Sequence, residues 1–167
     1  MKPSHSDIYG LLCFLLVEFQ QRNHTLACPF FAPTHRADDI ALPHPIRLPL
    51  GAGWRGACDA PGHEHTVLSN VDLESCNLGY AKSCPRLPKD RTCDAVRFAV
   101  ANDLGSTIAL RFVYESNYLP AGSGTLEYDV VLRSWITKHP EPRTQKLAQA
   151  FLQAYLERKN SNPSTSQ

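Results

Sequence analysis

From residue 95 onward, apolar and polar positions alternate along the chain. Val96, Phe98 and Val100 interleave with Ala95, Arg97 and Ala99. Ile108, Leu110, Phe112 and Tyr114 repeat the pattern, and Leu126, Tyr128, Val130 and Leu132 repeat it again with Glu127 and Asp129 between them. A period of two marks a strand with one buried face. The links, residues 102–106 and 119–124, are rich in turn-forming residues, so the three segments are expected to form an antiparallel meander. After Pro140 and Pro142 the period lengthens to that of a helix reaching about residue 159, with Leu147, Ala150, Phe151, Ala154 and Tyr155 on one stripe. The stripe predicts a helix laid across the meander's apolar face, with residues 160–167 as a polar, disordered tail.

The first 27 residues read differently. Residues 8–17 are almost wholly apolar, and Leu11, Leu12, Leu15, Leu16 and Phe19 fit one helix over residues 7–21, with Asp7 as N-cap and Glu18 and Arg22 spaced i, i+4. Lys2, the apolar run and Thr25-Leu26-Ala27-Cys28 partly follow an export or lipoprotein leader. The polar insertion Glu18, Gln20, Gln21, Arg22, Asn23 and the threonine at position 25 break that pattern. The apolar run is about half the length of a membrane span. A cytoplasmic protein with no membrane contact is therefore expected.

Between these regions, residues 28–61 show neither period. Prolines and glycines punctuate a stretch that still carries Phe30, Phe31, Ile40, Ile46, Leu48, Leu50 and Trp54, too apolar for a solvated linker. A tether at Cys28 and Cys58, which bracket it, would hold it down. A short helix is expected next, with Ser69 or Asn70 as N-cap, Asp72 and Glu74 in the first turn and Cys76 near its end. Gly79 suits a left-handed C-terminal position that turns Cys84 back toward Cys76.

With 167 residues the chain can bury one core, not two. The reading is one α+β folding unit: a helical segment over 1–27, a Pro/Cys-rich module over 28–94, the small β-meander with its C-terminal helix over 95–159, and the tail. Seventeen Lys+Arg against sixteen Asp+Glu leave no electrostatic footprint for nucleic acid. The balance of charge names no partner, and the pattern fixes no oligomeric state.

The candidate chemistry lies in the cysteines. Of Cys13, Cys28, Cys58, Cys76, Cys84 and Cys93, the expected metal ligands are Cys28, Cys58, Cys76 and Cys84. Cys13 falls within an apolar helix face and reads as a core thiol; Cys93 opens the first strand, where it could pack, pair in a disulfide or serve as the reserve ligand. No Cys-x2-Cys pair of the zinc-ribbon kind is present, whereas an iron–sulfur cluster accepts ligands from scattered loops, and Cys followed by Pro, as at Cys28-Pro29 and Cys84-Pro85, also occurs at such clusters. The spacing therefore favours a [4Fe–4S] centre over zinc, serving electron transfer, redox sensing or structural clamping. Alternatives are a zinc-bearing interaction protein, an exported module stapled by disulfides, and an enzyme using Cys76 or Cys84 as nucleophile, with Lys82, Arg86 and Lys89 nearby to lower a thiol pKa. A non-catalytic role is preferred.

The other polar residues carry weaker signals. His63-Glu64-His65 follows Cys58 and could complete a mixed zinc site, but reads more simply as an exposed loop. His35, His44 and His139 are expected to be solvated, and Asp38, Asp39 and Glu141 to be isolated acids. Gly51-Ala52-Gly53 precedes a tryptophan rather than a helix, so it is no phosphate loop.

Taken together, Cys28-Pro29-Phe30-Phe31, Leu48-Pro49-Leu50-Gly51 before Cys58, Cys76-Asn77-Leu78-Gly79-Tyr80-Ala81 before Cys84, Asp94-Ala95-Val96-Arg97-Phe98 and Gly124-Thr125-Leu126-Glu127-Tyr128 resemble a family of small bacterial Cys-rich proteins. The resemblance spans most of residues 28–155. It implies a bacterial cytosolic origin and a Cys-rich module, and it carries no activity.

Overall fold

The computed structural model describes residues 26–40, 42, 48–79 and 84–161. The helix expected over 7–21, Cys13, His44 and the tail from residue 162 onward lie outside them. The described chain is α+β, with two antiparallel sheets and two helices.

The first sheet contains β1 (Phe31–Arg36), β2 (Trp54–Cys58) and β3 (Thr66–Val67), in that order. It occupies part of the stretch where no strand period is legible. Pro33 lies in β1, an edge strand, where a missing backbone donor is tolerated, and the register slips between Pro33 and His35. Gly56 lies inside β2 because a Cβ there would run into the Ala32 carbonyl and the Phe31 ring. Both residues conceal the strands from a search for alternation.

Helix α1 (Asn70–Leu78) follows. Ser69 is its N-cap and Asp72 closes a capping box, while Gly79 ends it in the left-handed conformation at φ 75°. Of the two expected N-caps, Ser69 and Asn70, the first is used; Asp72 lies in the first turn and Gly79 at the left-handed end as expected, and the capping box is an addition.

The second sheet is a meander of four strands: β4 (Ala95–Asp103), β5 (Thr107–Ser116), β6 (Leu119–Asp129) and β7 (Ser134–Thr137). Three strands were expected. The difference begins at residues 119–124, which are paired strand rather than turn. Asn117 and Tyr118, both at positive φ, make the reversal in two residues. Gly124 then pairs with Phe112, whose ring occupies the space a Cβ would fill. The next reversal falls near residues 130–133, so Val130 and Leu132 do not extend the third strand and β7 is added.

Helix α2 (Pro142–Ser161) buries Leu147, Ala150 and Ala154 as expected, together with Thr144, Ala148 and Leu152. Its buried face is wider than one stripe because it packs against β1 and also, through Phe151 and Leu152, against Phe98, Ile108 and Leu110 of the meander. One core runs through Phe31, Trp54, Val96, Phe98, Leu126 and Leu147, and a smaller one joins Ile108, Leu110, Tyr128 and Leu152. Among the described residues, no helix is long and apolar enough to cross a membrane.

Candidate metal centre

Four separate devices bring Cys28, Cys58, Cys76 and Cys84 to one cavity. Ala27 exchanges both backbone hydrogen bonds with Val96, N to O at 2.9 Å and O to N at 3.0 Å, which fastens the segment bearing Cys28 to β4. The chain then turns through Pro29 and Phe30, with the Phe31 N–H donating to the Cys28 carbonyl at 3.2 Å. Cys58, the last residue of β2, faces Phe31 in the β1–β2 register, and Asp59 N–H donates to the Phe30 carbonyl at 2.8 Å. Sheet pairing therefore brings Cys58 to the turn that carries Cys28.

Cys76 rides on α1. The neighbouring Asn77 is buried and binds Trp54 of β2 through both ends of its amide, at 2.8 Å each, while Nδ2 also donates to the Leu73 carbonyl. This fixes α1 against the strand that carries Cys58. Cys84 sits on a tight turn closed by Leu87 N–H on its carbonyl. The following Arg86 reaches back to Asp72 of α1 with two hydrogen bonds, at 2.8 and 3.3 Å. The same contact, with help from Ser69, holds the Asp72 carboxyl at about 2.

The cavity between them has a volume of about 120 Å³, with Phe30, Ala60 and Leu87 as apolar walls and Asp72, Ser75 and Arg86 among its polar lining. Cys28 and Cys58 are buried, Cys76 and Cys84 half-buried, and all are free thiols. Burial pushes the Cys28 thiol up to about 12, against the backbone N–H groups of Phe30 and Phe31, and the charges of Cys58 and Cys84 act in the same direction as burial. Cys76 is also raised, first by burial and then by Cys28, Cys84, Cys58 and Asp72. These mutual effects mark the four as neighbours. Among the described residues, however, no three His, Cys, Asp or Glu side chains are placed to hold a metal ion.

Cys93 stands apart. Its thiol is raised by burial, and the charges acting on it come from Asp94, Arg143 and Glu141 rather than from another cysteine. His35, His63 and His65 are exposed, and none of them lines the cavity. His65 instead lies 3.2 Å from Asp59.

The expectation fails at His139, which is half-buried rather than solvated, and at the three acids, none of them isolated: Asp38 pairs with Arg36, Asp39 with Arg55, and Glu141 with Arg143. The His139 ring meets Phe112 and Tyr114 edge-on, and its Nδ1 accepts from the Glu141 backbone N–H at 3.0 Å. Glu141 caps α2 by accepting from Thr144 N–H at 2.9 Å. The signals missed were Asn77, a poor interior helix former directly after a cysteine, and Arg86, two residues after another; such an Asn commonly bonds a nearby backbone instead.

Comparison of the chain with protein-family models, curated proteins and solved structures gives no match. Its functional reading therefore rests on the cysteine geometry itself.

Proposed function

We propose that Cys28, Cys58, Cys76 and Cys84 hold an iron–sulfur cluster that ties the turns bearing Cys28 and Cys84 to β2 and α1 and serves electron transfer or redox sensing. The observation that carries this reading is the convergence of four free thiols, from four separate segments, on a single cavity. Thiolate is the ligand that iron–sulfur centres require, and thiols are the cavity's main metal-binding groups.

The volume of the cavity favours a cluster over one zinc ion. Four thiolates about 2.3 Å from a single ion crowd together. A volume of about 120 Å³ is several times what a water molecule, at roughly 10–15 Å³ on the same measure, requires. A cluster supplies its own bridging sulfides and offers each thiolate a separate iron, so its ligands can stand further apart. When bound, it would supply one-electron chemistry and a covalent tie between loops. The chain's own part is to expose one side: Cys76 and Cys84 are half-buried, giving an electron a short route to a partner protein, while Phe30, Ala60 and Leu87 limit the water that reaches the centre.

Five single Cys→Ser variants test the assignment after anaerobic purification. Substitution at 28, 58, 76 or 84 is expected to lower bound iron and sulfide by at least half, while Cys93→Ser keeps both. Equal retention in all five would remove these thiols from the metal site.

A further inference from the structure

A second cavity, of about 230 Å³, shares Phe30 with the cysteine cavity. Its apolar surface comes from Pro29, Phe30 and Ala121, and its polar groups from Cys93, Tyr114, Glu141, Arg143 and their neighbours. The hydrogen bonds within it leave an excess of donors.

Beginning at the histidine, Nδ1 of His139 accepts from Glu141 N–H, so its proton resides on Nε2 and is donated to the Tyr114 hydroxyl at 3.1 Å. The Thr144 hydroxyl donates to Glu141 Oε2 at 3.2 Å. Tyr114 must therefore be the donor in its 2.7 Å bond to Thr144 Oγ1. Each proton of this chain is committed, and the chain ends on the Glu141 carboxylate.

That carboxylate is nearly filled. Oε2 accepts from both the hydroxyl and N–H of Thr144, and Oε1 accepts from Arg143 Nε at 2.9 Å. Arg143 is in the opposite condition. Its guanidinium carbon lies 4.9 Å from the centre of the Phe30 ring, and only its Nε has a hydrogen-bond partner among the described residues. The two Nη groups retain four charged N–H donors. Against them the cavity offers one charged acceptor site, the remaining lone pair on Glu141 Oε1, and otherwise only the neutral hydroxyl oxygens of Thr92, Tyr114 and Thr144.

A site with this imbalance accepts a group with two acceptor oxygens in one plane, the geometry a guanidinium pairs with in bidentate fashion. We propose that the cavity binds a small monocarboxylate, its carboxylate on the Nη edge of Arg143 and its apolar body against Phe30 and Pro29. Its volume is below the 300–1,000 Å³ common for drug-sized ligands, which limits the occupant to a few carbons. Cys93 adds a polarizable wall: burial raises its thiol pKa, so it presents a neutral S–H. The inference stands on Arg143 and the second cavity and does not depend on what the four thiols hold.

The test uses the full chain as purified anaerobically, with propionate as probe and propionamide as its neutral counterpart. Calorimetry is expected to give saturable one-to-one binding of propionate, and N-ethylmaleimide labelling of Cys93, followed by peptide mass spectrometry, is expected to slow as the site fills. Arg143→Gln should weaken binding by about tenfold or more, the loss of roughly 1.4 kcal/mol or more from a charge-assisted pair. Because Arg143 also supports the start of α2, Ala121→Leu serves as a second variant: the position is exposed on β6, and the larger side chain should fill the cavity and abolish binding with the fold retained. Equal affinity for propionamide, no saturable binding, or binding unchanged in Ala121→Leu would each overturn the proposal.

Discussion

The side chain of Asn77 satisfies both backbone groups of Trp54, its Oδ1 accepting from the N–H and its Nδ2 donating to the C=O, each at 2.8 Å. An asparagine one residue after Cys76 thereby holds α1 to the strand that ends in Cys58. Replacing it with alanine would leave the Trp54 N–H and C=O buried without partners. Asn77→Ala is expected to lower stability by about 3 kcal/mol, seen as a lower urea midpoint, and to reduce bound metal in the same preparation. An unchanged midpoint would show that α1 is placed by other contacts.

Arg86 does for the Cys84 turn what Asn77 does for α1, but at the surface. Its ion pair with Asp72 is about one-quarter exposed on each side, so Arg86→Ala should cost only about 1 kcal/mol. The larger effect is expected on the site: metal should be lost to a chelator several-fold faster, because Cys84 is no longer held against α1. Arg86→Lys, which cannot make the two-pronged contact, should restore only part of the resistance.

Two glycines separate strain from steric conflict. Gly62 and Gly79 both have positive φ, 79° and 75°. A Cβ at Gly62 would meet nothing within 4 Å, whereas at Gly79 it would enter the Leu26 carbonyl beside the Cys28 segment. Gly62→Ala is expected to cost about 1 kcal/mol from conformation alone. Gly79→Ala should cost at least about 2 kcal/mol, read from paired urea melts.

The acid limb of stability should depend on Asp103. Its carboxylate accepts from the Tyr155 hydroxyl at 2.6 Å and the Lys159 ammonium at 2.8 Å, and these contacts, Lys159 first, hold its pKa at about 2. An unfolded aspartate titrates near about 3.9. Between those values the unfolded chain binds more protons, so this contribution is complete above about pH 4 and is lost as the pH falls through about 2. At the alkaline end the sign reverses. Asp103 pushes Tyr155 up to about 12, so the unfolded tyrosine ionises first, and stability falls as the pH rises from about 10 toward that value. Asp103→Asn should cost about 1 kcal/mol at neutral pH and flatten both limbs of the denaturation profile.

Much of the second half was legible because its elements announce themselves locally. Val96 and Phe98, and then Ile108 to Phe112, alternate with one face buried, and Ser69, Asp72 and Gly79 mark the ends of α1 by cap and first-turn chemistry alone. The first sheet was not legible. Pro33 and Gly56 are acceptable in β1 and β2 only because of an edge position and a close neighbour, both of which are facts of pairing. The start of β6 was lost for a similar reason, since Gly122 and Gly124 read as turn residues until the Phe112 ring covers Gly124. Of the proposed site, the four cysteines could be selected from their spacing and surroundings, and they do line one cavity. The ties that place them, Asn77 to Trp54 and Arg86 to Asp72, join residues 23 and 14 positions apart, and no local pattern encodes such contacts.

The most direct test is a visible absorption spectrum with iron, acid-labile sulfide and zinc determined on one anaerobically purified sample. Broad absorption near about 400 nm with iron and sulfide in equal amounts, about four of each per chain, is the expected result for a [4Fe–4S] centre. A colourless protein carrying one zinc, or a metal-free protein with Cys28, Cys58, Cys76 and Cys84 joined in disulfides, would contradict it.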